Sequence, residues 1–309
     1  MIKIIKIILL FTLSFSLSLK EVFAEEKIKI GLLVPLTGKN SEIGQSIIKA
    51  TRLAINQINN SSIMIIPKDT ASSPEISLRS ARELSGLGVK IVIGPVFNEN
   101  LIYLDELNEI TFLSLTNKND GGSRNIINSG INATSQLNAI KKFLELKEIK
   151  KTIFLTPDVN YKSEIEHAIS SSKIKLIKNN VYNTDPTKLT QQIEKITNYK
   201  KRKQNLEDEI KRLEVSNDNN KELLIERLKK KDTLGSVKFD SIIIADFDES
   251  LKSVTTSLLY TDISPKEKYF ITFNQWFDES LLKEKSSQPL YFPSINKKNY
   301  DNFSSEYFE

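Results

Sequence analysis

The chain has 309 residues, 39% of them hydrophobic and 27% charged, with a formal net charge of +5. That is length and apolar content enough for two domains of ordinary size. It contains no cysteine, which excludes disulfides, thiolate metal sites, cysteine nucleophiles and a lipid anchor on an N-terminal cysteine.

Lys3 and Lys6 precede an uncharged apolar run from Ile7 to Leu19, and Val22-Phe23-Ala24 stands just before Glu25-Glu26. A basic start, a short apolar middle and small residues at the exit predict a secretory signal peptide over residues 1–24, cleaved after Ala24. A retained membrane anchor would need about 18 to 20 apolar residues, and this run is shorter. The expected location is therefore the periplasm, as a free protein and not a lipoprotein. The leader carries Lys3, Lys6 and Lys20 against Glu21, so the mature chain keeps a net charge of about +3. With lysine interleaved among Glu and Asp, no nucleic-acid partner is expected.

From Ile28 to Asn117 one pattern repeats. Apolar runs at Ile28–Val34, Ile63–Ile66, Val89–Ile93 and Thr111–Leu115 predict strands. Between them Ile47, Ala50, Ala54 and Ile58, then Leu78, Ala81 and Leu84, then Leu101, Leu104 and Leu107 recur at helical spacing. Strands apolar on both faces and alternating with helices predict an α/β fold on a parallel sheet. Ligands in such sheets sit beyond the carboxyl ends of the strands, here at Pro35–Gly38, Gly94–Asn98 and Leu115–Asn117. Gly86-Leu87-Gly88 follows a helix, so it reads as a helix stop and not a dinucleotide loop.

A second series begins after Gly130. Leu137, Ile140, Phe143 and Leu144 mark a helix, and strands are predicted at Thr152–Leu155, Ile174–Val181, Ser241–Ala245 and Tyr269–Phe273. Two lobes result, an N-terminal one over residues 25–130 and a C-terminal one over 131–290, with a cleft expected between them. Within the second lobe, Tyr199, Leu206 and Leu213 recur every seven residues, and polar Ser216–Asn220 precedes Leu224 and Leu228. This predicts an inserted antiparallel helical hairpin over about 187–233. It reads either as a solvated insertion packed only on itself or as a docking arm for a partner protein. Lys203 within the stripe argues against a long coiled coil.

Catalysis has little to work with. His167 is the sole histidine, its nearest carboxylates Glu164 and Glu166 are only sequence neighbours, and no nucleophile constellation or metal-ligand cluster is apparent. No enzyme activity, metal or cofactor is expected. Binding is better supported. A helix starting near Phe97 or Asn98 would aim free backbone N–H groups and its dipole at a ligand carboxylate, although Asn98 is equally suited to cap that helix.

Three stretches, KIGLLVPLTGKNSEIGQSIIKATRLAINQIN (Lys29 to Asn59), KDTASSPEISLRSARELSGLGVKIVIGPVFNEN (Lys68 to Asn100) and FLSLTNKND (Phe112 to Asp120), resemble type 1 periplasmic binding proteins. The resemblance is to the leucine-binding-protein domain and its penicillin-binding-protein activator relatives. It runs from about Ile28 to the end of the chain, with a gap at the hairpin. It implies two doubly wound parallel-sheet lobes with an interlobe cleft, and a return of the chain into the first lobe. Residues 291–309 read as the start of that return, and the chain is expected to be truncated there.

The resemblance also implies a site. Asn98, Thr116 and Asn117 would contribute from the first lobe, and Tyr161 and Asp246 from the second. Asp246 or Asp248 would take a ligand ammonium, with capping of the following helix as the alternative for Asp248. Trp276 would form a flat apolar wall or belong to the core. Free-amino-acid binders of the family place Ser or Thr where this chain has Phe97-Asn98, a departure from leucine-like ligands. FNQWFDES (Phe273 to Ser280) and SLTNKND (Ser114 to Asp120) look like the activator branch. Two roles follow: capture of a small polar, amino-acid-like solute for an ABC-type membrane permease, or regulation of a peptidoglycan synthase by protein contact.

Overall fold

A computed structural model describes residues 27–118, 123–275 and 283–308. The chain divides into two compact units, the first running to Gly130 and taking in the chain from Glu306, the second spanning Ile131–Ser305.

The first unit follows the repeating pattern. It contains β1 (Ile28–Val34), α1 (Ser41–Ile58), β2 (Ile63–Asp69), α2 (Pro74–Gly86), β3 (Ile91–Ile93), β4 (Thr111–Ser114) and β5 (Ile126–Asn128). All neighbouring strands are parallel, in the order β2-β1-β3-β4-β5. Leu33, Leu84, Val92, Leu104, Ile110 and Phe112 are fully buried in one core on this sheet. Full burial of each such side chain contributes about 1.5–3 kcal/mol. The α2 start is set by Ser73, whose hydroxyl accepts from the Ile76 N–H, and by Pro74 in the first turn.

Between β3 and β4 the expected helix is replaced by two short 3₁₀ segments, Asn98–Leu101 and Leu104–Glu106. The three-residue spacing of Leu101, Leu104 and Leu107 does not set the helix type, since Leu78, Ala81 and Leu84 at the same spacing lie in α2. Here the Asn125 side-chain amide donates to the Leu104 and Leu107 carbonyls, each at 3.0 Å, and takes up acceptors that a continuing α-helix would use. Strand β5 was not anticipated, because three residues at a sheet edge leave no periodic signal.

The second unit contains α3 (Ala133–Leu146), β6 (Thr152–Pro157), α4 (Lys162–Ser172), β7 (Lys178–Tyr182), α5 (Pro186–Ile196), α6 (Tyr199–Glu214), α7 (Lys221–Lys229), β8 (Ser241–Ile244), α8 (Asp248–Tyr260), β9 (Tyr269–Thr272) and β10 (Leu290–Tyr291). A last helix, α9, covers Lys297–Phe308. The sheet order is β10-β9-β8-β6-β7, again parallel throughout. Alternation along the strands serves two cores. Ile153, Leu155, Ile242, Ile244 and Phe270 meet α5 and α8 on one face, while Phe154, Ile243 and Ile271 meet α3 and α4 on the other. Two five-stranded parallel sheets flanked by helices are the expected fold class.

The region 187–233 splits into two parts. Helix α5, begun by the Asp185 cap and Pro186, buries Leu189 and Ile193 in the core against α8. The hairpin proper is α6 and α7. It does not pack only on itself. Arg202, 5% exposed, donates from Nε to the Thr197 carbonyl at 3.1 Å, from Nη1 to Thr233 Oγ1 at 2.9 Å and from Nη2 to the Thr261 carbonyl. Thr197 and Thr261 close the C-termini of α5 and α8, so one guanidinium caps two helix ends.

Candidate functional site

In a doubly wound sheet, the loops after two adjacent strands diverge at the point where the strand order reverses, leaving a crevice at the carboxyl ends. The first unit has this point between β1 and β3, the second between β6 and β8.

In the first unit the loops at this end are organised by a carboxylate. Asp69 Oδ1 accepts from the N–H groups of Leu36 at 2.7 Å, Thr37 at 3.3 Å and Ala71 at 2.8 Å, and Oδ2 accepts from the Thr37 hydroxyl at 2.6 Å. It thereby ties the loop after β1 to the loop after β2. Burial works to raise its pKa, but the Thr37 hydroxyl and the three N–H groups outweigh it and hold the group below the ordinary value. A folded pKa below the unfolded one gives stability that is present above about pH 4 and lost as the pH falls through the folded value. Asp69→Asn should therefore cost about 1 kcal/mol at neutral pH. The deficit should shrink as urea melts are taken below about pH 4.

Gly94 lies on the opposite bank of this switch point. Its φ is +104°, and a Cβ there would stand 2.1 Å from the Leu33 carbonyl oxygen, so the β3 loop is packed directly on the β1 backbone. Asn98 follows. It does not cap a helix: Phe97 holds the cap position and no side chain closes the turn. A four-residue 3₁₀ segment also carries little dipole, so the expected anion-binding helix start is absent here. Instead, Asn98 Oδ1 is buried without a hydrogen-bond partner among the described residues. Thr116 is 4% exposed, and its hydroxyl accepts from the Lys118 N–H at 3.2 Å. Asn117 is exposed.

The second unit brings Tyr161 and Asp246 together. Tyr161 ends the loop after β6, Asp246 opens the loop after β8, and the phenol donates to Asp246 Oδ1 at 3.4 Å. Asp246 is itself 4% exposed, and its other oxygen accepts from the Tyr182 hydroxyl at 2.5 Å. Both phenols have pKa values pushed up, chiefly by burial and then by the Asp246 charge. Asp246 thus has a phenol on each oxygen, so an ammonium arriving there would share the carboxylate with two hydroxyls. Gln275 donates to the Asp246 carbonyl at 3.1 Å, while its own Oε1 is buried without a partner among the described residues. Asp248 does not cap α8: Phe247 holds that position, and Asp248 sits in the first turn with φ +49°. Trp276 lies outside the described residues.

Asp69, Tyr182 and Gln275 were not singled out from sequence. Asp69 and Tyr182 each close a strand, and a polar residue at the carboxyl end of a predicted strand is the signal that could have found them. His167 is exposed and pairs with Ser171 Oγ at 3.2 Å on the surface of α4. Among the described residues no group of three or more His, Asp or Glu is placed to hold a metal ion. Among them, too, no helix is long and apolar enough to cross a membrane.

Two doubly wound parallel sheets, each with polar side chains gathered at its switch point, define the class of type 1 periplasmic binding folds. The chain belongs to the periplasmic binding protein family, whose model matches residues 27–200. Solved structures agree on the fold. A branched-chain amino acid ABC transporter periplasmic ligand-binding protein from Burkholderia xenovorans LB400 gives a TM-score of 0.55 at 11% identity, covering 91% of this chain and 71% of that one. The C-domain of LpoA from Haemophilus influenzae, a regulator of PBP1A, gives 0.57 at 14% identity, covering 90% and 78%. Full-length LpoA from the same organism gives 0.59 at 13% identity, covering 94% of this chain and 49% of that one. No curated protein sequence matches the chain.

Proposed function

We propose that this protein is a non-catalytic, extracytoplasmic solute-binding protein, exported by its leader, released after Ala24, and handing a small polar solute to an ABC-type membrane permease. The observation that carries this reading is Asn98 Oδ1, a buried acceptor at the switch point of the first unit with no donor among the described residues. Leaving such a group unpaired costs about 1–3 kcal/mol, which a solute N–H or O–H arriving there would recover. In the second unit, Gln275 Oε1 offers an acceptor beside Asp246 that is unpaired among the described residues. Tyr161 offers a phenol whose 3.4 Å bond to Asp246 is long enough to yield to a ligand. Taken by itself, each unit thus presents groups that ask for a solute rich in donors, such as an amino acid or an amino- or hydroxy-bearing relative. Thr116, Asn117 and Trp276 complete the proposed set.

The test is a thermal-shift screen of such solutes. A true ligand at about a hundredfold excess over its Kd should stabilise the protein by roughly 2.7 kcal/mol, and Asn98→Ala should abolish the gain while the unliganded melt stays within about 1 kcal/mol. A screen across amino acids, polyamines and sugars that moves no melting temperature rejects the reading.

A second reading, contact with a peptidoglycan synthase, is favoured by the α6–α7 hairpin, held at a fixed angle on the second unit by Arg202. It requires capture of a synthase by the intact chain and loss of capture when residues 203–232 are replaced by a short linker.

A further inference from the structure

The charges of the hairpin are sorted along its length. Residues 194–203 and 226–232 hold nine basic residues against three acidic ones, whereas residues 204–225 hold six acidic against three basic. The two basic segments meet at the base of the hairpin, where the Leu234 N–H donates to the Arg202 carbonyl at 3.0 Å and the Arg202 guanidinium reaches Thr233. Helix α6 has no acidic residue in its first turn, although Lys200, Lys201 and Lys203 stand there against the positive end of its dipole. Lys195, Lys201, Lys203, Lys229 and Lys231 are exposed and have no ion-pair partner among the described residues. Only Lys200 and Lys230 are paired, with Glu194 at 3.9 Å and Glu226 at 2.8 Å. Beside them Tyr199 packs on Tyr260 with ring centroids 5.5 Å apart, and Tyr260 is 56% exposed.

We propose that the base of the hairpin is an electrostatic docking surface for a membrane of anionic phospholipid. Several exposed lysines spread over two segments suit a surface of many phosphates better than a single bound anion. An exposed phenol at the same place suits the headgroup layer, where an apolar ring with a polar tip is at home. An acidic protein segment would call for an apolar groove among the lysines. The cavity between α5 and α6 is instead lined by Gln191, Glu194, Lys195, Asn198, Lys200 and Lys201, with no apolar side chain among them. The cavity beside Lys230 and Lys231 does hold Leu234, Val237 and Ile263, but Asp232, Asp262 and Glu267 line it too and would repel an acidic segment.

The experiment is co-sedimentation of the full chain with vesicles of phosphatidylglycerol in phosphatidylcholine, with pure phosphatidylcholine vesicles subtracting any binding by the apolar leader. The expected result is an excess on the anionic vesicles that falls about tenfold or more from low to high salt. Joint replacement Lys201→Gln, Lys203→Gln, Lys229→Gln and Lys231→Gln should reduce that excess by about tenfold or more. Replacing four exposed lysines elsewhere, Lys27, Lys90, Lys118 and Lys142, removes the same charge and should change it less than about twofold. No excess on phosphatidylglycerol, or equal losses in the two quadruple variants, overturns the proposal. So does binding to poly-glutamate without binding to vesicles, which would assign the surface to an acidic protein.

Discussion

Replacing Arg202 by methionine should lower the stability of the second unit by about 3 kcal/mol, seen as a fall in the urea midpoint at an unchanged slope. Three acceptors lose their donor together: the carbonyls that end α5 and α8, and the Thr233 hydroxyl oxygen. Burial alone disfavours the charged guanidinium and lowers its pKa, so a well-packed apolar side chain would regain part of that penalty. It cannot regain the helix-end carbonyls, which would be left buried without partners. Arg202→Lys should fail almost as badly, because an ammonium is a point charge and cannot span three acceptors in one plane. Hydrogen exchange separates this account from a simple packing loss. In Arg202→Met the amides of α6 and α7 should exchange much faster than those of β6 and β8. Uniform acceleration across the unit would show that Arg202 does not hold the hairpin.

Asp246→Ala should cost about 3 kcal/mol as well, by a different route. The Tyr182 hydroxyl is buried, with its oxygen at 2.5 Å from the carboxylate, and the substitution leaves that donor unpaired inside the core. Tyr182→Phe removes the donor but leaves Asp246 with Tyr161 and the Phe247 N–H, so its cost should be nearer 1 kcal/mol. The pH dependence gives an independent check. Tyr182 has a folded pKa above its unfolded value, first through burial and then through the Asp246 charge. Its contribution is fully present below about pH 10 and is lost as the pH climbs beyond that value. Tyr182→Phe should therefore flatten the alkaline limb of the stability curve. An unchanged limb, or a neutral Asp246→Ala, would mean that the carboxylate does not hold the two phenols.

The roles of these two residues also show where the sequence stops being legible. Asp246 was recognisable as a polar residue after a buried strand, and Tyr161 as its counterpart after β6. That Tyr182 would claim the second carboxylate oxygen depends on β7 lying at the sheet edge beside β6, with β8 on the other side of β6. No local pattern reports that order. Arg202 sat in a run of lysines and read as solvated surface, because its three acceptors lie on separate segments and meet only when α5 and α8 end at one place. The 3₁₀ segments after β3 were not legible in the leucine spacing, because Leu78, Ala81 and Leu84 at the same spacing form an α-helix and the carbonyls of Leu104 and Leu107 are taken up by Asn125 from a later segment.

Periodicity alone determined most of the strands and helices and the parallel character of both sheets, since the pleat and the helical turn impose their repeat on whatever residues they bury. Tertiary structure decided which polar groups are spent on each other and which are left without a partner. Asp246 is taken up by the phenols of Tyr161, at the start of α4, and Tyr182, at the end of β7, whereas Asn98 Oδ1 stays unpaired among the described residues. Such pairings join side chains up to 85 residues apart, and only strand order and register bring them within hydrogen-bonding distance.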